Sequence, residues 1–370
     1  MRRTGVQGCL QAALASLTAL VFALVVPREA GAVSVYDKDG FTLDLGLRLQ
    51  PRMELERAPR VGGGTDWQRD FLVRRSRLKA KGKMQGATFN LEWKIDQTDQ
   101  IGVTPAASLE NGYIQYPLCT GVDLRAGLYD QPFSRDRLTS DSRQLAVDRG
   151  AVSNVPDALG LADNVVGFEF LGSLRGGHTG YAVGLFDNRR FDGRLQDVPM
   201  VVGRLDLNFG MTKDVFQDAH FGNDKWYSLG VDGSYQGSIE APPPSTADNG
   251  SNAAAGIDGM IDLPAGPRRI FAKAELNAIR TEPPAGGNRV DTTVWMVGMG
   301  VLLNQKLQPI VRFDRVRLDD SVGGGSRNIT YVGANLYQNG HSLKIQGDVR
   351  FEAGTNESVD GARLQGQVDF

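Results

Sequence analysis

The chain has 370 residues, a formal net charge of −2 and 41% hydrophobic residues. This near-neutral balance does not favour a nucleic-acid partner, which requires a strongly basic surface. Three histidines and two cysteines, all far apart, likewise argue against a metal site built on these ligands.

The N-terminus has the features of a cleaved export signal. Arg2 and Arg3 form a positive start, residues 10–26 form an uncharged apolar run, and residues 30–32 (Ala-Gly-Ala) offer a small-residue cleavage site before Val33. The alternative, an uncleaved membrane-spanning helix, is less favoured because the run is at the lower limit of length for a span.

We therefore divide the chain into a signal peptide, residues 1–32, and one domain, residues 33–370. Cys9 leaves with the signal peptide, so that Cys119 remains alone and no internal disulfide is expected. After the signal, no stretch is apolar enough to span a bilayer as a helix.

Residues 41–56 alternate strictly in polarity. Every odd position from Phe41 to Leu55 is apolar, and every even position is polar, charged or glycine. A strand places alternate side chains on opposite faces. Strands in soluble sandwiches are usually about 5–6 residues long, so this long strand is better explained by lipid on one side and water on the other.

Similar alternation recurs to the C-terminus and predicts an all-β fold, a transmembrane antiparallel β-barrel of 16 strands in the outer membrane. The strands are expected at 41–56, 69–84, 88–97, 109–117, 122–129, 161–171, 180–186, 198–209, 225–237, 255–263, 268–280, 292–303, 307–318, 329–337, 342–352 and 363–370. Short connections alternate with long polar ones, as in outer-membrane barrels. A barrel of this size encloses a water-filled lumen. The connection near 210–224 is too long for this scheme.

The longest connection, residues 130–160, is the third loop and is expected to fold inward as a constriction. Its arginines are interspersed with acidic residues such as Asp141 and Asp148. These arginines are Arg135, Arg137, Arg143 and Arg149. The alternative is a solvated surface loop.

A basic stripe follows one face of the second predicted strand. It consists of Arg75, Arg77, Lys79, Lys81 and Lys83. Charges facing lipid near the midplane would cost several kcal/mol, so the stripe is expected to face the lumen and attract anions. Arg74 breaks the alternation and is expected near a rim or at a bulge. The alternative is that these cations pair with acids such as Glu92 and Asp96, which would leave a weakly selective lumen.

No catalytic motif is present. The histidines are too sparse for a His-based enzyme, and the glycine runs at 62–64 and 323–325 lie in predicted loops without a following helix. We therefore expect neither an enzyme nor a cofactor.

Several segments, in this order along the chain, resemble the phosphate-selective porin O and P family of Gram-negative outer membranes. They are 45–50 (LGLRLQ), 73–79 (VRRSRLK), 124–140, 307–315 and 331–337. The most specific is the stretch PFSRDRLTS, residues 132–140, within the third of these segments.

The resemblance implies a porin of 16 strands, usually a homotrimer. Its water-filled channel lets inorganic phosphate, polyphosphate or other small anions diffuse passively across the outer membrane. By this resemblance, Asp96 holds the geometry of arginines that contact anions near the constriction. Those arginines are Arg48, Arg74, Arg75, Arg137 and Arg149. Two alternatives stay open: a weakly selective porin for small hydrophilic solutes, and a non-channel barrel serving as an enzyme or anchor.

Overall fold

The computed structural model describes residues 32–59, 65–95, 107–187, 199–210, 215–239, 250–283, 288–318, 325–354 and 360–370. Residues 1–31 of the predicted signal peptide and Asp96 lie outside these ranges.

The described chain is nearly all strand. The strands are β1 (Val33–Lys38), β2 (Phe41–Pro59), β3 (Thr65–Met84), β4 (Ala87–Lys94), β5 (Ser108–Cys119), β6 (Val122–Asp130), β7 (Asn164–Leu174), β8 (Thr179–Phe186), β9 (Met200–Phe209), β10 (Trp226–Ile239), β11 (Gly250–Ala265), β12 (Arg268–Glu282), β13 (Val290–Leu303), β14 (Leu307–Leu318), β15 (Ser326–Asn339), β16 (Leu343–Ala353) and β17 (Gly361–Asp369). Two α-helices, α1 (Arg135–Leu138) and α2 (Ala151–Ala158), lie between β6 and β7. Among the described residues, neither helix has the length and hydropathy needed to cross a bilayer.

The strands from β2 to β17 form one closed antiparallel barrel. Each pairs with its neighbours in sequence, and β17 pairs back onto β2, where Leu364 lies opposite Met53. Closure gives each strand of this ring a partner on both sides, as a lipid environment requires. The N-terminal β1 pairs with the start of β2 and does not belong to the closed ring. The prediction of a 16-stranded barrel is confirmed, and each predicted strand overlaps an observed one.

The alternation in β2 separates an outer apolar face from an inner polar face. Leu47 and Leu49 are 36% and 38% exposed on the outside, whereas Arg48 and Gln50 are buried inside. Because lipid replaces water around the barrel, this outer leucine face stabilises the protein in the membrane.

A β-bulge at Arg74 lets two consecutive arginines point inward. Gln50 on β2 pairs with Arg75 and Pro51 pairs with Val73, so Arg74 has no partner in this register. A bulge reverses the facing of the residues beyond it. The expectation that Arg74 lies at a bulge therefore agrees with the pairing. Leu72, which strict alternation places on the lipid face, instead lies inside and is buried.

The two ends of the barrel differ. Short turns such as 266–267 and 304–306 connect strands at one end, which we call the turn end, and the longer connections lie at the opposite loop end. One turn-end connection is long. It lies between β9 and β10, and its described residues 215–225, which we call the turn-end connection, include buried residues such as Asp218 and His220.

The third loop, residues 131–163 of the structure, lies inside the barrel. Phe133 and Leu161 pack with Phe186 of β8 and Met200 of β9 in one apolar cluster. Leu145 packs against the inner wall in a second cluster with residues of β10, β11, β12 and β14. Apolar clusters thus lie between the third loop and the wall, and a further one, with Ala219, Leu302 and Tyr337, lies between the turn-end connection and the wall.

Candidate functional site

Inward carboxylates of the wall hold the backbone of the third loop. The N–H of Ser134 donates to Asp232 at 3.0 Å, and the N–H of Asp136 donates to Glu275 at 3.0 Å. Similarly, the N–H of Ala151 donates to Asp314 at 3.0 Å. A buried N–H without a partner is costly, so these polar residues of β10, β12 and β14 fix the course of the loop.

Lys273 of β12 connects the third loop to the turn-end connection. Its ammonium group lies 2.8 Å from Asp136 of the loop and 2.7 Å from Asp218 of the connection. Asp218 also accepts a hydrogen bond from the N–H of Leu145 at 2.7 Å. Loop and connection therefore fill the lumen beside β10 to β17 as one bonded unit.

Open space remains beside β2 to β9, as three adjoining cavities. The loop-end cavity has a volume of 670 Å³, the middle cavity 760 Å³ and the turn-end cavity 610 Å³. Asp141 and Arg149 line both the loop-end and the middle cavity. Arg48, Lys79 and Lys81 line both the middle and the turn-end cavity. Shared lining residues show that the three spaces follow one another along the barrel.

Charges in the loop-end cavity are balanced among the described residues, of which six basic and six acidic ones line it. Asp141 lies between Arg75 at 2.8 Å and Arg149 at 2.9 Å, where the loop-end and middle cavities meet. Burial by itself would raise the pKa of the Asp141 carboxyl, but the guanidinium groups of Arg149 and Arg75 hold that pKa well below its usual range. This junction therefore carries both signs of charge.

Arg137 holds together a carboxylate cluster at the rim of the same cavity. It lies 2.7 Å from Asp130, 3.1 Å from Asp157 and 3.2 Å from Asp163. Burial, together with the nearby charge of Asp163 and against the opposing effect of Arg137, raises the pKa of Asp157 to about 6. Asp157 therefore changes charge near neutral pH.

The turn-end cavity is positively charged. Among the described residues, its ionisable lining consists of Arg48, Lys79, Lys81, Arg143, His341 and one acid, Asp369. Burial holds the pKa of His341 well below its usual value, so this imidazole is neutral. The formal charge of the lining is therefore four positive minus one negative, or +3.

Two of these cations share one carboxylate. Asp369 lies 3.1 Å from Arg48 and also contacts Lys79. Arg48 also donates to the Ser140 hydroxyl of the third loop at 2.9 Å. Within the described part of the chain, no acidic group forms an ion pair with Lys81, which is exposed to the cavity.

The other predicted site residues have different surroundings. Arg74, Arg75, Arg77, Arg137 and Arg149 line the loop-end cavity. Arg77 pairs with Glu92 at 3.5 Å and Glu110 at 3.4 Å, which is the pairing considered as the alternative for the basic stripe. Lys83 is exposed at the turn end and lines none of the three cavities. Asp96 lies outside the described residues.

Arg135, predicted to line the pore, is buried in the packed side of the lumen. It contacts Asp258 of β11, donates to Ser228 of β10 at 2.6 Å, and donates to the carbonyl of Val215 at 2.9 Å. These partners hold the third loop against the wall and the turn-end connection, so Arg135 lines none of the cavities described above.

Several residues of the site were not predicted. Arg125 of β6 lies in the middle cavity, with its guanidinium 4.8 Å from the ring centre of Tyr113, and pairs with Glu169 at 3.0 Å. Arg52 and Arg363 both bind Asp148 of the third loop. Alternation along the strands could have predicted that these arginines point inward. Their ion-pair partners could not be predicted, because they lie far away in sequence.

The family model for phosphate-selective porin O and P matches residues 45–194. No curated protein sequence matches the chain. Solved structures with a similar fold include OmpT, an outer membrane protein of Vibrio cholerae, at 10% identity and a TM-score of 0.59, covering 90% of this chain and 99% of that one. An anion-selective porin from Comamonas acidovorans aligns at 12% identity and a TM-score of 0.57, covering 89% and 100%.

The outer membrane channel DcaP of Acinetobacter baumannii aligns at 9% identity and a TM-score of 0.58, covering 91% of this chain and 100% of that one. At such identities these three structures establish the barrel fold alone. The family match and this fold together support an outer-membrane porin channel, and they indicate a channel rather than an enzyme.

Proposed function

We propose that this porin lets small anions, inorganic phosphate among them, diffuse passively through the three adjoining cavities. The observation that carries the proposal is the excess of positive charge in the turn-end cavity, whose described lining has four basic residues and one acid. Arg and Lys side chains on pore walls are the usual device for anion and phosphate selectivity.

The residues along the pathway can act in sequence on a passing anion. Arg75 and Arg149 offer guanidinium groups at the junction, with Asp141 between them limiting how tightly an anion binds. Lys79 and Lys81 then act as point charges that replace part of the lost hydration. Conduction requires that a bound anion is released readily. The carboxylates that pair with these cations weaken the binding of an anion and so allow its release.

We further propose that the loop end faces the exterior and the turn end the periplasm, as is general for outer-membrane barrels. Export by cleavage before Val33 and assembly as a homotrimer are part of the same proposal. They are supported by the sequence of residues 1–32, the family resemblance and the trimer form recorded for the OmpT of Vibrio cholerae.

The reversal potential in a planar bilayer under a potassium chloride gradient tests the anion preference. The wild type is expected to favour chloride over potassium, and added phosphate is expected to lower the chloride current. Lys81→Gln is expected to reduce the preference for chloride, whereas Lys306→Gln, at an exposed turn away from the cavities, leaves it unchanged. A current without ion preference would contradict the proposal, and a barrel without conductance would exclude a channel.

A second candidate, a weakly selective porin for small hydrophilic solutes, is favoured by the charge balance of the loop-end cavity. If this cavity limits the flux, chloride and potassium should pass almost equally, and Lys81→Gln should have no effect on the reversal potential.

A further inference from the structure

Residues of the turn-end connection line the pathway together with the basic residues of β2 and β3. Val215 and Phe216 of the connection line both the middle and the turn-end cavity. Leu138, at the end of helix α1 in the third loop, lines the same two cavities. Three apolar side chains therefore share these two cavities with Arg48, Lys79 and Lys81.

The apolar wall is held firmly in place. The Phe216 ring centre lies 5.3 Å from the guanidinium carbon of Arg135 and 5.3 Å from that of Arg204. The carbonyl of Val215 accepts a hydrogen bond from Arg135 at 2.9 Å. Both arginines are anchored to wall carboxylates, so Phe216 is positioned by the same contacts that fix the third loop.

More distant contacts fix the rest of the connection. The N–H of Asp218 donates to the carbonyl of Arg143 at 2.9 Å, and the N–H of His220 donates to Asp262 at 2.7 Å. Arg269 donates to the carbonyl of Gly222 at 2.7 Å. A segment bonded at so many points presents a defined surface to the pathway.

An inorganic anion gains no binding energy from apolar side chains. An anion with an apolar body can gain binding energy from both the basic and the apolar residues that line these two cavities. Its carboxylate would interact with the lysines and Arg48, and its ring or chain would contact Phe216 and Leu138. A planar ring can also stack against the phenyl group of Phe216. The passage thus has the mixed character of sites that bind small organic molecules.

We propose that Phe216, with Val215 and Leu138, makes the turn-end part of the pathway selective for organic anions with an apolar body, such as aromatic carboxylates. This inference rests on the proposed function, because it requires that anions pass through these cavities. It adds a substrate class and assigns the turn-end connection, rather than the third loop alone, a role in specificity.

Bi-ionic potentials in planar bilayers test this proposal with potassium benzoate, potassium acetate and potassium chloride. We expect benzoate to be more permeant than acetate in the wild type, although benzoate is larger and diffuses more slowly in water. Phe216→Ala is expected to lower the benzoate-to-acetate permeability ratio by about two- to tenfold, the range expected for loss of an aromatic contact.

Phe170→Ala is the matched control, because Phe170 lies on the lipid face of β7 and is 43% exposed. This variant is expected to keep the wild-type permeability ratio. A wild-type channel that prefers chloride over potassium but passes benzoate no better than acetate would overturn the inference and leave the proposed function intact. An unchanged benzoate-to-acetate ratio in Phe216→Ala would also overturn the inference and leave the proposed function intact. A wild-type channel with no preference for chloride over potassium would overturn the proposed function itself.

Discussion

The two halves of the barrel wall use inward polar side chains in opposite ways. On β10 to β17, side chains such as Asn335 and Gln346 are about 1% exposed and donate to main-chain carbonyls of the third loop, Asn335 to that of Leu145 at 2.8 Å. On β2 to β9, residues such as Lys81 and Arg125 face open cavities. Strand alternation alone therefore identifies the inner face but does not distinguish a residue that holds the loop from one that faces the solute.

The difference also concerns how charges are balanced. Lys273 on the packed side has two carboxylate partners within 2.8 Å and is 3% exposed. Lys79 and Arg48 on the open side share a single carboxylate. Among the described residues, Arg48 and Lys79 thus carry more positive charge than their one carboxylate partner neutralises, on the side that solutes can reach.

The largest effect is expected from removing the cation that holds the packed side together. Lys273→Met leaves Asp136 and Asp218 buried without a counter-charge, a loss that typically costs about 3–5 kcal/mol. We expect the unfolding midpoint in denaturant, followed by tryptophan fluorescence, to fall, and the channel current to become larger and noisier.

Lys306→Met is the control for that variant, because Lys306 is exposed at the turn between β13 and β14. It should leave the midpoint and the current as in the wild type. If Lys273→Met unfolds at the same midpoint as this control, the third loop is not held by the packed side in the way the contacts indicate.

A smaller effect is expected on the open side, at the junction of the loop-end and middle cavities. Asp141→Asn removes the one negative charge between Arg75 and Arg149, and at a distance of about 8 Å in water a unit charge changes the energy of an ion by about 0.5 kcal/mol. Chloride permeability should therefore rise and potassium permeability fall, each by about twofold, so that the chloride-to-potassium permeability ratio rises by about fivefold.

Asp291→Asn provides a comparison for the junction variant, since Asp291 lies at the loop end on β13 and pairs with exposed Arg280 and Arg289. Its selectivity should match the wild type. A junction variant that lost anion preference would show that Asp141 does not oppose anions in the pathway.

The smallest effect is a pH dependence at the rim of the loop-end cavity. Burial and neighbouring acids raise the pKa of Asp157 to about 6, so this group is mostly charged at pH 7.5 and mostly neutral at pH 5. Protonation removes a negative charge, so anion preference should increase as the pH falls through 6, by less than about twofold given the exposure of the rim.

Asp157→Asn should remove this step and have a reversal potential at pH 7.5 similar to that of the wild type at pH 5. If the step between pH 5 and 7.5 persists in Asp157→Asn, another group is responsible for it.

Much of the fold could be predicted from the sequence because the barrel depends on a local signal. Alternation along each strand marks which face meets lipid, and even the bulge was indicated by Arg74 falling out of the alternation. Leu72 lies inside, against simple alternation, because one extra residue reverses the facing of every residue beyond it.

The site was less predictable because its partners are distant in sequence. Arg135 and Arg137 lie two residues apart, yet Arg135 is bonded to β10 and β11 and Arg137 faces a cavity. The sequence indicated the turn-end connection only because the segment near 210–224 is too long for a short turn. No local pattern predicts that Phe216 enters the lumen. Contacts of this kind depend on how the loop packs in three dimensions.

The most direct test of the difference between the two halves is block of the current by a small anionic methanethiosulfonate. The measurement compares Lys81→Cys on the open side with Gln346→Cys on the packed side, both in a Cys119→Ser background. We predict that the reagent reduces the current through Lys81→Cys and leaves the current through Gln346→Cys unchanged. Equal block of both variants, or block of Gln346→Cys alone, would contradict a pathway that runs beside β2 to β9.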